Sequence, residues 1–311
     1  MKGLELSKAY FEAVVKPKLQ ADFPELYPHL AAGLVGNGSD CFGYDDEISQ
    51  DHDWGVEYFI WIPNDRLWEG KALQDWRMEL FRLLPPAAVR NPTAYGAKIG
   101  VQTCDEFYRS LIGYPEGPKA LTDWLRIPEE NLAMAVNGEV FMDNEGRFTQ
   151  TREKLLRHYP EDIRRKKLAA KAMAIAQTGQ YNHRRMAKRE DWVTVRAALC
   201  RFAEAAMGMC YLLNRRYKPY YKWAWRGLRE LPNGGNALSE ALMKLTLVPG
   251  FSEQDFRCMD DYIEQACSVL RNELRRQNLT RNDDWFFATH GEELMSGIQD
   301  DFIRSLPATY E

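Results

Sequence analysis

Residues 54–63, "WGVEYFIWIP", constrain this chain more than any other stretch. Tyrosine, phenylalanine, isoleucine and tryptophan suit a pleated, buried surface, and Pro63 cannot continue a hydrogen-bonded ladder, so the segment predicts a β-strand. The run "LAAGLVG" (30–36) stops at glycine and reads as a buried strand, and "AYGAKIGVQT" (94–103) is a further strand candidate. Leu4, Tyr10, Phe11, Val14 and Val15 recur at helical spacing before Pro24 and Pro28, and "KALQDWRMELFRLLP" (71–85) is a helix expected to end before Pro85. The order helix, strand, turn, strand, helix, strand predicts a mixed α/β domain over the first third of the chain.

Beyond it the character changes. The stretch "AVNGEVFMDNEGRF" (135–148) places Asn-Gly and Asn-Glu-Gly between short apolar runs, as a small β-hairpin connector would. Pro160, Glu161 and Asp162 then open a helix, and helical patterns follow at about 160–178, 190–216, 219–231, 236–247, 252–278 and 290–305, punctuated by "LPNGG" and "LVPG". The expected fold class is α+β: a mixed-sheet α/β domain (1–115), a connector with a β-hairpin (116–150) and an all-helical bundle domain (151–311).

A formal net charge of −4 argues against an extended nucleic-acid surface, which needs clustered excess lysine and arginine. The six cysteines (41, 104, 200, 210, 258 and 267) form no C-x-x-C pair, so neither a zinc site nor a disulfide framework is indicated. The N-terminal segment lacks a continuous apolar core, and no run approaches the ~20 apolar residues of a membrane span. A cytoplasmic protein is expected.

Immediately ahead of the strongest strand stand Asp51, His52 and Asp53. Successive strand side chains alternate, so the two carboxylates are expected on one face with backbones roughly 6 to 7 Å apart, and His52 on the other as a packed or hydrogen-bonded histidine. Two unit charges at that distance repel by roughly 2.5 kcal/mol at an effective dielectric near 20, which a bound cation would reverse. Oxygen ligands suit Mg²⁺, held by one or two carboxylates together with substrate phosphates. Gly38 and Ser39 lie thirteen and twelve residues earlier, where a glycine lets backbone approach a ligand and the serine hydroxyl and turn amides can take phosphate oxygens. The triplet alone is common; its placement between a Gly-Ser turn and an apolar strand is not. Asp40, Asp45, Asp46 and Glu47 read as solvated loop residues or helix caps.

That combination of strand, Gly-Ser turn, a dozen residues, Asp-x-Asp and strand resembles the DNA-polymerase-β-like nucleotidyltransferase superfamily. More closely, "GNGSDCFGYDDEISQDHDWG" (36–55) and "YKPYYKW" (217–223) look like an uncharacterised bacterial domain-of-unknown-function family assigned to that superfamily, with the resemblance running through most of the chain. It implies that Gly38 and Ser39 contact a nucleoside triphosphate, ATP being the first choice, and that Asp51 and Asp53 are catalytic and bind Mg²⁺. Many members add a third acid on a neighbouring strand. Here "KIGVQTC" offers Gly100 at that place, with Asp105 and Glu106 just beyond and Glu57 four residues past Asp53.

In the helical half, "RRYKPYYKWAWRGLREL" (215–231) interleaves bases and aromatics as a stacking surface with phosphate-binding cations would, or as a packed helix start would. Tyr221 and Lys222 are its nucleotide-contact candidates, Lys222 because a helical-domain lysine aimed at the triphosphate recurs in the resembled superfamily. Arg185, from the charge run "YNHRRMAKRED" (181–191), is another candidate, against the alternative of a solvated face. No general base is assigned; Asp191 and Glu204 are acids in the helical half. The expected activity is Mg²⁺-dependent transfer of a nucleoside monophosphate to a hydroxyl of a small-molecule or protein acceptor, with the helical domain closing the cleft. The alternatives are an inactive nucleotide-binding or protein-interaction module on the same fold and, ranked last, a glycosyltransferase.

Overall fold

The computed structural model describes residues 1–62, 71–83, 89–91, 99–250 and 252–311. In chain order, α1 (Gly3–Tyr10) passes through a π-helical turn (Phe11–Val15) into α2 (Lys16–Asp22), followed by β1 (Ala31–Leu34), β2 (Trp54–Gly55), β3 (Tyr58–Ile62), α3 (Lys71–Leu83), β4 (Val89–Arg90), β5 (Ile99–Thr103) and α4 (Cys104–Ile112). Next come α5 (Leu121–Leu125), α6 (Glu129–Val136), β6 (Glu139–Asp143) and α7 (Arg147–Leu156). The remainder is helical: α8 (Glu161–Ile175), a π-helical stretch (Ala176–Asn182), α9 (His183–Ala187), α10 (Trp192–Leu213), α11 (Tyr221–Leu228), α12 (Gly235–Leu247), α13 (Glu253–Arg276), α14 (Phe287–Ser296) and α15 (Asp301–Ser305). The chain divides into two units, Met1–Lys119 with Ile127–Arg157, and Ala120–Arg126 with His158–Glu311.

In the first unit a four-stranded mixed sheet runs in the order β5, β3, β1, β6. The central strand β1 is antiparallel to both neighbours, and β5 is parallel to β3. Strand β3 explains its own composition. Tyr58, Ile60 and Ile62 join Phe11, Val15, Leu19 and Leu80 in one buried core, while the intervening Phe59 and Trp61 turn to the other face. There Trp61 stacks on Phe148 of α7 at 3.8 Å between ring centroids and meets Phe107 of α4 edge-on. A strand covered on both faces reads as a continuous apolar run rather than an alternating one. Mixed α/β architecture with a small mixed sheet and many helices agrees with the α+β expectation.

Two expectations differ from the structure. The strand starting at Trp54 is not continuous: Trp54 and Gly55 pair with β4 in a separate two-stranded ribbon, and the main-sheet strand begins at Tyr58. Residues 135–148 form no hairpin. Glu139–Asp143 is instead the edge strand β6, paired with β1 over a hundred residues earlier, with Phe141 as an extra residue where the register shifts. Both turn signals are real, but each joins this strand to a helix. Residues 94–98 of the third strand candidate, and Pro63 and Pro85, lie outside the described residues.

The second unit is built on α8 and α10. Arg164, only 2% exposed, donates from Nε to the Leu212 carbonyl at 2.9 Å, pairs with Glu161 and hydrogen-bonds Gln277, which ties three helix ends together. Pro160 stands at the N-cap of α8, and Ser252 and Asp255 form a capping box on α13. The helical patterns expected from 160 onward correspond to these helices. No helix among the described residues is long and apolar enough to cross a membrane.

Candidate functional site

The Gly-Ser turn leaves β1 at its carboxyl end. Ala31, Ala32 and Gly33 stand opposite Trp61, Ile60 and Phe59, so continuing that antiparallel register sets the residues after Leu34 beside those just before Tyr58. On the other side, Leu34 pairs with Glu139, which brings Asn137 and Gly138 to the same sheet end. Three segments thus enter or leave the sheet at this end: the one after Leu34, the one before Tyr58 and the one before Glu139.

The turn itself is held by main-chain and amide bonds. Gly36 (φ 126°) and Gly38 (φ 111°) adopt backbone that side-chain-bearing residues avoid. Tyr44 N–H donates to the Ser39 carbonyl at 2.7 Å, and Gly138 N–H donates to the Cys41 carbonyl at 2.7 Å. The amide of Asn137 grips Gly36 from both directions, accepting from its N–H at 2.8 Å and donating to its carbonyl at 2.7 Å. Arg152 in turn donates to the carbonyls of Asn137 and Gly138 at 2.6 and 3.2 Å. Sequence reasoning missed these three supports. Asn137-Gly138 was visible as a turn signal, but a role in buttressing Gly36 has no local signature, and neither does Arg152.

The acids between the turn and Asp51 divide into two kinds. Asp46 and Glu47 are exposed, and Asp46 accepts from Ile48 N–H and Ser49 N–H as a local cap. Asp40 and Asp45 are buried, contrary to the expectation of solvated loop residues. Asp45 accepts from Gly3 N–H at 2.8 Å and the Trp54 indole at 3.0 Å, fastening α1 and β2 to the loop, and Asp40 accepts from Cys41 N–H at 2.9 Å. Buried carboxylates are affordable where donors meet them.

Asp51 and Asp53 do not lie on a strand. A 3₁₀ turn (Ile48–Gln50) runs into Asp51, which is helical in backbone (φ −72°, ψ −33°), and Asp53 is left-handed (φ 48°). The chain must bend there to bring Trp54 to Asp45, so the alternation that put both carboxylates on one face does not apply. Asp51 is 65% exposed in its side chain, and its Oδ1 lies 2.7 Å from Nδ1 of His52, which is itself exposed rather than packed. Its carbonyl accepts from Asn91 at 2.9 Å. Asp53 is half-buried. Among the described residues no group of three or more His, Cys, Asp or Glu side chains is arranged to hold a metal ion. Two carboxylates therefore fit Mg²⁺ only as part of a set that substrate phosphates complete.

Of the positions considered for a third acid, Gly100 brings no side chain and Glu106 is engaged elsewhere. Gly100 stands opposite Phe59 in β5. Glu106 closes the capping box with Thr103 and pairs with Arg77; burial alone would raise its pKa, but Arg77 and the Thr103 N–H outweigh that and hold it below the usual carboxylate range. Glu57 is fully buried behind the sheet end.

Arg185, Tyr221 and Lys222 belong to the second unit. All three are exposed. Arg185 lies over the Tyr181 ring and donates to its hydroxyl at 2.6 Å; Tyr221 packs on Tyr220 with ring centroids 4.4 Å apart; the Lys222 ammonium sits 5.2 Å from the Trp223 ring centroid. Asp191 is the N-cap of α10, accepting from Thr194 N–H at 3.1 Å, and Glu204 pairs with Lys218, so neither stands ready as a general base.

A family model described as a domain of unknown function (DUF4037) matches residues 124–224, a span that includes Arg185, Tyr221 and Lys222 but not Gly38, Ser39, Asp51 or Asp53. Among solved structures the chain is similar to a nucleotidyltransferase-like protein from Exiguobacterium sibiricum, with 12% identity, coverage of 93% of this chain and 78% of that one, and a TM-score of 0.36. No curated protein matches.

Proposed function

We propose that this chain is a Mg²⁺-dependent nucleotidyltransferase that moves a nucleoside monophosphate from a nucleoside triphosphate, ATP in the first instance, to a hydroxyl of a small-molecule or protein acceptor. One observation carries it: the Gly36–Ser39 turn leaves the inner strand β1 at the same sheet end at which β3 begins, and Asp51 and Asp53 stand seven and five residues ahead of that strand, just before β2. Ser39 Oγ and the turn amides take phosphate oxygens, in a loop whose shape Asn137 and Arg152 fix in advance. Asp51 and Asp53 hold the ion, which supplies charge neutralisation on the phosphates. The acceptor oxygen forms a bond to the α-phosphorus, the bond from that phosphorus to the bridging oxygen breaks, pyrophosphate leaves and the hydroxyl proton passes to solvent. Arg185, Tyr221 and Lys222 enter as further nucleotide contacts on residue chemistry alone, and each is tested by its own alanine variant, an unchanged nucleotide affinity removing it.

The test is a thermal-shift series of nucleoside triphosphates with and without Mg²⁺. Ligand at a hundred times its dissociation constant stabilises by about 2.7 kcal/mol, a rise of roughly 5 °C or more. Asp51→Asn with Asp53→Asn is expected to remove the metal-dependent part; a double variant that responds like wild type excludes this site. A second reading, binding without turnover, is favoured by Gly100 standing where a third acid would lie in β5. Metal-dependent nucleotide binding with no pyrophosphate release separates it from the first.

A further inference from the structure

At the other end of the same sheet lies a cavity of about 640 Å³ between α7, the segment after α4, and the amino terminus of α4. Its place follows from the register. Thr103, which ends β5, stands opposite Ile62, and Asp143, which ends β6, stands opposite Ala31, so both strands deliver their following helices to the end of β1 remote from the Gly-Ser turn.

One wall is a face of α7. Arg147, Thr151 and Lys154 follow one another at helical spacing, and Arg157 at the carboxyl cap extends the row. The opposite face of that helix buries Phe148 and Leu155, so the charged row is held in place by the core rather than free to turn. The facing wall is the first turn of α4, whose backbone dipole adds positive potential.

Charge in the cavity is unbalanced. Arg147 and Arg157 make no hydrogen bond or ion pair from their side chains among the described residues, and Lys154 Nζ donates to a backbone oxygen, that of Glu116, at 3.1 Å. Of the two acids present, Glu116 gives its carboxylate to Lys119 at 2.7 Å, leaving Asp105 against three cations. A volume of this size exceeds what a single inorganic phosphate fills, and cations spaced along nearly three helical turns match a chain of phosphates better than one.

We propose that this cavity is an anion site for a compound carrying two or more linked phosphates, bound through Arg147, Lys154 and Arg157 without a divalent cation and independently of Asp51 and Asp53. The experiment is calorimetric titration of inorganic tripolyphosphate in the presence of EDTA. Wild type is expected to bind at one site; Arg147→Gln with Lys154→Gln and Arg157→Gln is expected to weaken binding by about tenfold or more, while Asp51→Asn with Asp53→Asn leaves it unchanged. ATP titrated in EDTA is expected to lose affinity in the triple variant by a similar factor, since the phosphate chain is what is recognised. Arg147→Lys with Arg157→Lys keeps the charge and is expected to stay within about threefold of wild type. Should the triple variant melt early, the single Arg147→Gln and Arg157→Gln variants, both at exposed positions, carry the comparison. Absence of binding by wild type at millimolar tripolyphosphate, or equal binding by the charge-removed variants, overturns the proposal. Loss of binding in the Asp51 and Asp53 variant alone would instead place the polyphosphate at the Gly-Ser end of the sheet.

Discussion

Asn137 holds Gly36 through both of its backbone groups, with Nδ2 2.7 Å from the carbonyl oxygen and Oδ1 2.8 Å from the amide nitrogen. Gly36 is buried and Asn137 partly buried, so removing that amide leaves two main-chain groups of Gly36 without their partners. Asn137→Ala is expected to destabilise the protein by about 1 to 3 kcal/mol, read by urea denaturation. If the turn cradles phosphates, the same variant also weakens nucleotide binding with Asp51 and Asp53 intact.

Two glycines on either side of β6 separate strain from collision. At Gly138 (φ 59°) a Cβ would come 1.9 Å from the Leu34 carbonyl oxygen, whereas at Gly146 (φ 74°) it would meet nothing within 4 Å. Gly146→Ala bears only the cost of a left-handed alanine, about 1 kcal/mol, and Gly138→Ala must in addition push β6 off β1. Thermal melts of the two variants are expected to differ by well over 5 °C.

His158 supplies an acid-side test of stability. Burial, reinforced by the charge of Arg164, pushes its pKa down to about 3, and its ring stacks on Tyr217 at 4.7 Å. An unfolded histidine protonates near 6.5, so below that pH the unfolded chain binds a proton that the folded one refuses. The neutral ring therefore costs nothing above about pH 6.5, and stability falls as pH drops from there toward 3, by up to about 1.4 kcal/mol per unit. His158 is left-handed (φ 69°), which asparagine tolerates. His158→Asn is expected to show a shallower loss between pH 6.5 and 3 than wild type, in parallel denaturation series.

All six cysteines are free thiols, and their surroundings rank their reactivity. Burial pushes Cys104 and Cys210 up to about 12 and raises Cys267 as well, whereas Cys200 is exposed and Cys258 partly so. Native alkylation at pH 8 followed by peptide mass spectrometry is expected to label Cys200 first, then Cys258, with Cys104, Cys210 and Cys267 labelled only on unfolding.

What the sequence made legible was whatever is encoded locally. The helices of the second unit follow from periodicity, from Pro160, and from the glycine and proline stops; β1 and β3 follow from apolar runs too dense for a half-exposed sheet. Long-range pairing is not written locally. Residues 139–143 look the same whether their partner is the next strand or one a hundred residues back, and only the fold chooses. Asp51 and Asp53 were legible as a pair but not as a geometry, because the bend that carries them is set by Trp54 reaching Asp45, a contact the spacing does not disclose. Asp40 and Asp45 look like loop acids until their donors, Cys41 N–H, Gly3 N–H and an indole, are seen to surround them.

The position of β6 has a consequence for biosynthesis. Strand β1 is synthesised early, yet one of its two ladders is completed only by residues 139–143. At roughly 5 to 20 residues per second, a ribosome needs several seconds more to deliver them. For that interval the nascent sheet carries an open edge at Ala31–Leu34, a template for pairing with other chains. Fragments truncated near residue 119 keep that edge permanently, so expression of the amino-terminal portion alone is expected to yield a larger insoluble fraction than expression of the longer chain.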